Sequence, residues 1–343
     1  MKRLGLKLSS GIGRSLAHKI KQTQRLSRKT AAVILLLMGA ALVSLVSLGF
    51  AKLADYALHL NAKWSQQYPL AAFAVLPISL MLIVWFTRRY APYTAGSGIP
   101  QVLATLSMPK VKDGNRLVAL WRTALKIPLT FLGMLAGASI GREGPSVQVG
   151  AAVMLAWGSW CKRYNLAFKR LQDKELLAAG AAGGLAAAFN APLAGVIFAI
   201  EELGRSVSLH WERQIFIGVL ASGFFLVAIE GNSTYFQGFN AGQPAEHMLR
   251  WALLCAAVCG VAGGLFARFL SKGATWLALP KWRNWMRRHP IWLAGVFGLM
   301  LAALGVLFDG QTYGTGYDVA AAALHGQTDL TYGLAGAKWA ATV

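Results

Sequence analysis

An arginine, a glutamate and a proline stand close together in an otherwise apolar part of the sequence, in GREGPSVQVG at residues 141–150. A proline is tolerated in the first turn of a helix, so the motif predicts a helix that begins near Glu143. The free N–H groups and partial positive charge of a helix start suit an anion. The Glu143 carboxylate and a dissolved anion would compete for this place, so protonation of Glu143 would open it. A simple interaction of Glu143 with the helix dipole is the alternative.

Two further motifs predict helix starts of the same kind, GSGIP at residues 96–100 and NAPLAG at residues 190–195. Each combines a glycine or a cap-type residue with a proline. One helix start stabilises an anion by only about 0.3–2 kcal/mol, whereas burial of a bare ion costs several kcal/mol. Several starts must therefore converge. We expect the Ser97 hydroxyl to join them, with Gly96 and Gly98 allowing close backbone approach.

Three charged residues near these motifs each allow two interpretations. Glu201 and Glu202 end an apolar segment, where they either pair with Arg205 or Arg213 or supply a proton entry point from the cytoplasmic side. Acids in membrane segments commonly belong to proton relays, which supports the second interpretation. We expect Arg142 to brace its loop or to face an aqueous vestibule rather than to bind the anion, because a fixed guanidinium in a pore would hold an anion too tightly to release it.

The elements that must position these residues are membrane helices. Hydrophobic residues make up 56% of the 343-residue chain and charged residues 14%, a composition outside the soluble globular range. Crossing a bilayer takes about 20 apolar residues. The segments that reach or approach this length are residues 31–51, 70–87 and 290–308. A further predicted span, Leu117–Ile140, carries Arg122 and Lys126 near its basic end, where long side chains can reach the interface.

The apolar segment 176–200 is interrupted by Asn190-Ala191-Pro192. We expect one helix to end near Phe189 and another to begin near Ala191. Broken backbone at membrane depth survives only where protein or a water-filled cavity satisfies it. Short or interrupted segments therefore indicate a transporter.

Basic residues, which give the chain a formal charge of +21, cluster between the hydrophobic segments. Residues 1–30 hold nine Lys or Arg and no acid, whereas residues 59–69 and 231–249 hold one lysine between them. This distribution predicts a cytoplasmic N-terminal tail at residues 1–30 and cytoplasmic basic loops. Because the basic residues form no periodic face, it does not indicate a nucleic-acid partner.

Metal and nucleophile chemistry find no support in the sequence. The three cysteines and six histidines have no ligand spacing, and we expect neither a metal nor a cofactor. Cys255 and Cys259, one helical turn apart, are expected to be small buried residues. A membrane hydrolase using Ser97 would need a base, and no histidine lies within a span in a reasonable register.

An internal repeat is visible in GTGYDVAAAAL at residues 314–324, which resembles GSGIPQVLATL at residues 96–106. Both stretches follow a hydrophobic span, and both precede an apolar-flanked lysine, Lys126 or Lys338. The repeat predicts a first membrane unit at residues 31–250 and a partial second one at residues 251–343. The second copy of GREGP would then lie beyond the last residue.

Three stretches together resemble the CLC family of chloride channels and chloride/proton antiporters, from about residue 31 onwards. They are GSGIP at 96–100, GREGPSVQVG at 141–150 and GGLAAAFNAPLAGVIFAIEEL at 183–203. The resemblance implies an all-α polytopic membrane protein, a bundle of tilted and broken helices in two inverted repeats, the first complete and the second partial. It also implies a homodimer in the bacterial inner membrane that transports ions and is not an enzyme.

The resemblance further implies roles for individual residues. The Ser97 hydroxyl, with the N–H groups of Gly98 and Ile99 nearby, would coordinate the central anion. Glu143 matches the external gating glutamate, with Arg142 and Gly144 in the loop of the outer anion site. Glu202 matches the internal proton-transfer glutamate of antiporters.

Chloride/proton antiport is the leading hypothesis, because many channel-type members lack the acid at the position of Glu202. Fluoride-exporting relatives usually replace the serine, so Ser97 favours chloride. The family's second glycine-phenylalanine-proline loop and its late pore tyrosine are absent, which leaves the pathway incomplete. A passive channel gated by voltage or pH, a fluoride/proton antiporter, and an inactive truncated fragment or dimer partner remain alternatives.

Overall fold

A computed structural model of the chain describes residues 2–111, 116–164, 172–204, 213–232, 236, 247–276, 284–286, 288–326 and 332–342. Within these ranges the chain is helical and contains no β-strand, which confirms the expected all-α class. The chain divides into two compact units. Unit 1 comprises Met1–Lys52, Tyr93–Ile127 and Arg142–Ser233, and unit 2 comprises Leu53–Pro92, Pro128–Gly141 and Thr234–Val343.

The principal helices in chain order are α1 (Lys2–Gln67), α2 (Ala72–Tyr90), α3 (Ile99–Ser107), α4 (Leu120–Ala124), α5 (Lys126–Ala136), α6 (Glu143–Arg163), α7 (Asp173–Ala188), α8 (Pro192–Phe198), α9 (Arg213–Glu230), α10 (Met248–Trp276), α11 (Pro290–Leu307), α12 (Tyr317–Leu324) and α13 (Tyr332–Thr342). A short π-helical turn, Ala199–Leu203, continues α8.

Four helices in the described part of the chain are long and apolar enough to cross a membrane: Thr30–Gln67, Pro69–Tyr90, Met248–Phe269 and Pro290–Leu307. They confirm the spans expected in α1, α2 and α11, and α10 supplies a further one. The predicted break within residues 176–200 is also confirmed, since α7 ends at Ala188 and α8 begins at Pro192.

The predicted single span Leu117–Ile140 is wrong, because α4 and α5 divide it at Leu125. Pro128 explains the break. It has no N–H group to donate to the carbonyl oxygen of Ala124, and its ring disfavours continuation of the preceding turn. The break places Lys126 in the first turn of α5.

In unit 1, α6 and α7 pack backbone against backbone. A Cβ atom on Gly150 would collide with the Gly180 carbonyl oxygen, and one on Gly184 would collide with the Ser146 carbonyl oxygen. Small residues permit such close helix contacts in membrane proteins. The core around this contact contains fully buried residues of several helices, among them Val102, Val147, Leu177, Leu203 and Val219.

In unit 2, α2 packs on α11 around a glycine and a proline. A Cβ atom on Gly298 would lie 2.5 Å from the Pro77 Cα atom. The C-terminal end of α5 is capped from α1, because Asn61 Nδ2 and Trp64 Nε1 donate to the Leu135 carbonyl oxygen at 3.1 and 3.0 Å. These bonds satisfy an acceptor that the helix end leaves free.

Candidate anion-binding site

The starts of α3 and α6 are in direct contact within unit 1. A Cβ atom on Gly98 would lie 2.9 Å from the Gly144 carbonyl oxygen, and one on Gly144 would lie 2.8 Å from the Ser97 carbonyl oxygen. Only glycine at both positions allows this approach, because the gap between the two backbones cannot hold a methyl group. The structure thus brings GSGIP and GREGP together.

Local sequence explains why both helices begin here. Gly98 precedes α3 with a φ of 110°, a conformation that glycine adopts far more easily than other residues. Pro100 in α3 and Pro145 in α6 occupy first-turn positions, where the missing N–H costs little. Neither N-cap residue, Gly98 of α3 or Arg142 of α6, makes a side-chain capping hydrogen bond. The first N–H groups of a helix have no acceptor within the helix, so they are suited to an external acceptor such as an anion.

The side chains expected to handle the anion lie at these two starts. Ser97 is exposed, Gly98 is buried and Ile99 begins α3. Glu143 is the first residue of α6 and is half-buried, with Gly144 next to it. A carboxylate at this position interacts favourably with the helix dipole, as a small anion would.

Arg142 extends from this loop to α1. Its Nη1 atom donates to the Ala51 carbonyl oxygen at 2.9 Å. The Arg142 carbonyl oxygen accepts bonds from the Ser146 N–H at 3.0 Å and from the Ser146 hydroxyl at 2.9 Å. These contacts tie the GREGP loop to α1 and to the first turn of α6.

A buried lysine connects the two helix starts, which was not predicted. Lys126 was expected to extend toward the membrane interface, but it is only 5% exposed. Its Nζ atom donates to the Gly96 carbonyl oxygen and to Gln148 Oε1, each at 2.8 Å. The neighbouring Arg122 instead lies over the rings of Tyr93 and Trp121, with its guanidinium carbon 5.4 and 5.0 Å from their centroids.

Gln148 completes this connection from α6. It is fully buried, and its Nε2 atom donates to the Leu117 carbonyl oxygen at 2.7 Å. Its Cβ atom would be 2.8 Å from a Cβ atom on Gly98. The spacing of Gly144 and Gln148, four residues apart on one helix face, is the sequence signal that could have identified this residue.

The two acids after α8 lie in the π-helical turn Ala199–Leu203. Glu201 and Glu202 are both exposed, whereas Leu203 beside them is fully buried. π-Helical turns within α-helices occur frequently at functional sites, because they displace side chains from the regular helical pattern.

The third predicted helix start, that of α8, packs against α7 and α9 in unit 1. A Cβ atom on Gly223 of α9 would lie 2.7 Å from the Pro192 Cα atom, and one on Gly195 would lie 2.8 Å from the Ala182 carbonyl oxygen of α7. Asn190 Nδ2 donates to the Gly231 carbonyl oxygen at 3.1 Å. The start of α8 thus contacts α7 and α9.

The second copy of the glycine motif has similar local geometry in unit 2. Gly316 precedes α12 with a φ of 82°, as Gly98 precedes α3. Lys338 of α13 donates to the carbonyl oxygens of Thr312 and Gly314 at 2.8 and 2.7 Å, and to Ser139 Oγ at 3.1 Å. In both units a lysine therefore bonds to the glycine loop before a short helix.

Cysteines and metal-ligating groups contribute no further site in the described ranges. Cys255 and Cys259 are exposed on α10, so the expectation that they are buried is wrong. The helix makes few contacts with the rest of the described chain, which the small residues alone could not reveal. No group of three or more His, Cys, Asp or Glu residues that could hold a metal ion occurs among the described residues.

Sequence and structure comparisons identify related proteins. A family model described as voltage gated chloride channel matches residues 79–343. The H(+)/Cl(−) exchange transporter ClcA of Vibrio parahaemolyticus is 35% identical over 249 residues, covering 68% of this chain and 49% of that protein. The protein of the same name from Yersinia pestis is 31% identical over 280 residues, covering 79% of this chain and 53% of that protein.

A solved structure of a slow cyanobacterial Cl−/H+ antiporter has a TM-score of 0.70 and 25% sequence identity, covering 91% of this chain and 72% of that chain. A CLC-type fluoride/proton antiporter has the same fold, with a TM-score of 0.67 and 22% identity over 91% of this chain and 75% of that chain. The chain spans about half the length of the curated relatives that it matches. Because the family model covers most of the sequence, this protein belongs to the voltage-gated chloride channel family.

Proposed function

We propose that this protein moves chloride across a membrane in exchange for protons. The observation that carries the proposal is the direct contact between the uncapped starts of α3 and α6, at Gly98 and Gly144. Two helix starts that meet offer an anion more N–H donors and more positive potential than one start alone. Relatives named H(+)/Cl(−) exchange transporters support the same function.

Chloride would bind beside the exposed hydroxyl of Ser97, with the N–H groups of Gly98 and Ile99 as further donors. Arg142 and Gly144 would form the loop of an outer anion site. None of these groups except Arg142 carries a full charge, so chloride would be bound mainly by dipoles. Such ligands attract an anion strongly enough to replace water yet still allow its release.

Glu143 would act as a protonatable gate. Deprotonated, its carboxylate occupies the positive end of α6 in place of chloride, because both negative groups are stabilised by the same N–H donors. Protonation neutralises the side chain and leaves the donors to the anion. One position would thereby couple proton binding to anion binding.

Glu202 would transfer protons between the cytoplasm and the pathway. Its side chain is exposed in the π-helical turn, while the adjacent Leu203 anchors the turn in the core of unit 1. A separate proton route is expected of an exchanger, because a passive channel needs no internal acid. The acid at this position therefore favours exchange over conduction.

The remaining features of the proposal concern assembly and orientation. We propose a homodimer in the bacterial inner membrane, with the basic N-terminal residues 1–30 in the cytoplasm. The Lys and Arg residues between the hydrophobic segments support this orientation. We also propose that the glycine motifs at residues 96–98 and 314–316 mark two inverted repeats, at residues 31–250 and 251–343, on the strength of their similar conformations.

The test is a paired flux measurement. The purified chain is reconstituted into liposomes with an outward chloride gradient, and chloride release and external pH are recorded together. We expect chloride efflux to drive protons inward against their gradient. Chloride efflux without proton movement would support a passive channel instead, and the absence of both fluxes would contradict transport by this chain.

A further inference from the structure

Two aromatic rings hold the guanidinium group of Arg122 in α4. Its central carbon lies 5.4 Å from the centroid of the Tyr93 ring and 5.0 Å from that of the Trp121 ring. Both distances are within the about 6 Å over which a cation is attracted to an aromatic face. Tyr93 is itself tied to α6, because Gln148 Nε2 donates to its carbonyl oxygen at 3.4 Å. The guanidinium therefore has a defined place in unit 1.

The N–H groups of this guanidinium find no oxygen acceptor in the described part of the chain. Arg122 makes neither a hydrogen bond nor an ion pair with a described residue. A guanidinium stays charged at physiological pH and carries five N–H donors in a planar fork, which matches two oxygens of one phosphate group. The side chain is half-buried, so water satisfies only part of this capacity. An external oxyanion would complete it.

Exposed apolar side chains immediately precede Arg122 in the sequence. Trp121 is 62% exposed and Leu120 is 44% exposed, and both belong to α4. A tryptophan ring suits the level of lipid headgroups, because its body is apolar and its N–H group is polar. A free inorganic anion would use the guanidinium alone. A molecule that has both a phosphate group and hydrocarbon chains would use all three side chains.

The surrounding segment is electropositive. Residues 93–127 contain five Lys or Arg and one acid, Asp113. The side chains of Lys110 and Arg116 are exposed. Basic segments of this kind lie on the cytoplasmic side of membrane proteins, where anionic lipids give the membrane a negative surface potential. The charge of the segment and that of the lipid surface are therefore complementary.

We propose that Arg122, Tyr93 and Trp121 form a binding site for the headgroup of an anionic phospholipid in the cytoplasmic leaflet. The guanidinium donates two hydrogen bonds to oxygens of the lipid phosphate. The two rings fix its orientation, and Leu120 with the exposed part of Trp121 contacts the start of the acyl chains. This inference goes beyond the proposed exchange of chloride and protons and does not depend on it. Only the choice of leaflet follows from the proposed orientation.

Native mass spectrometry of the purified full chain in detergent measures lipid binding directly. The probes are phosphatidylglycerol, which has a net negative charge, and phosphatidylcholine with the same acyl chains, which is zwitterionic. We expect phosphatidylglycerol to bind more tightly. Arg122→Gln should weaken its binding at least about tenfold, because hydrogen bonds from a charged donor are lost. Arg122→Lys should retain only part of the affinity, because an ammonium group keeps the charge but not the fork.

Arg116→Gln is the matched control for the loss of charge. It removes the same charge from an exposed side chain of the same segment, one that lies over no aromatic ring in the described part of the chain. At physiological salt a charge more than about 8 Å from the headgroup is largely screened, so the affinity should fall by no more than about twofold. Trp121→Leu keeps an apolar side chain but removes a ring from the guanidinium, and it should weaken binding about two- to fivefold. This variant also tests the site should Arg122→Gln fail to fold.

Three results would overturn the site. Equal binding of the two lipids would show that the negative charge is not recognised. Equal losses in Arg122→Gln and Arg116→Gln would show a general attraction to basic residues instead of a built site. Displacement of bound phosphatidylglycerol by inorganic phosphate would show a site for the free ion and not for a lipid. Because lipid binding is measured without any ion flux, each of these results leaves the proposed transport function intact.

Discussion

Substitution of Gly98 by alanine tests the contact on which the candidate site depends. The new Cβ atom would lie 2.8 Å from Gln148 Cβ and 2.9 Å from the Gly144 carbonyl oxygen. Overpacking of this kind costs about 1–3 kcal/mol. The φ of 110° adds about 1–2 kcal/mol for a residue that carries a Cβ atom. The expected destabilisation is therefore about 2–5 kcal/mol.

Gly96→Ala is the matched control for this variant. Gly96 also has a positive φ, of 83°, but the nearest atom to an added Cβ is Gln101 Nε2 at 3.8 Å. The control thus has the backbone cost of about 1–2 kcal/mol without the overlap. The difference between the two variants isolates the contact between α3 and α6, at about 1–3 kcal/mol.

Thermal unfolding and chloride titration of the purified chain measure this difference. At about 2–4 °C per kcal/mol, Gly98→Ala should lower the apparent melting temperature by roughly 2–12 °C more than Gly96→Ala does. It should also weaken chloride binding more, because the added methyl group separates the two sets of N–H donors. Equal effects of the two substitutions would refute the close approach of the helix starts.

Further substitutions address the gate, the proton route and the buried network. Glu143→Ala should allow chloride flux in liposomes without coupled protons, and an unchanged coupling ratio would exclude its role as the gate. Glu202→Gln should abolish proton flux while sparing chloride flux, and the control Glu201→Gln should keep both fluxes. Proton pumping retained by Glu202→Gln would contradict the proposed role of Glu202 in proton transfer. Gln148→Leu should destabilise the chain by about 1–3 kcal/mol, because the Lys126 ammonium group loses an acceptor; an unchanged melting temperature would show that this bond is dispensable.

Local signals in the sequence predicted helix boundaries well. The break between α7 and α8 followed from Asn190 and Pro192, and the starts of α3 and α6 followed from their glycines and prolines. These residues restrict the backbone directly, so the prediction needed no knowledge of neighbours. The division of α4 from α5 at Leu125 was not predicted, although Pro128 carries the same kind of signal, because the continuous apolar composition of the segment favours a single span.

Partners that are distant in the sequence could not be predicted in the same way. Lys126 bonds to residues 30 and 22 positions away, and its position near a basic end favoured an interfacial side chain instead. Cys255 and Cys259 are predicted to be buried because small residues suit a protein core. The sequence pattern of α10, however, does not show which helices cover it. In both cases the outcome depended on tertiary packing, which residue types constrain only weakly.

The glycine contacts between α6 and α7 have a mechanical consequence. Gly150, Gly180 and Gly184 leave no space between the two backbones, so a sliding or rolling motion of α6 would drive atoms that already touch into overlap. Close-packed interiors resist such continuous deformation. The half-buried side chain of Glu143 lies at the first residue of α6, ahead of this packed segment. Rotation of the Glu143 side chain about its own bonds is a far smaller motion than displacement of a helix. In the proposed transport, the packing of α6 therefore limits the motion at this site to that of a side chain.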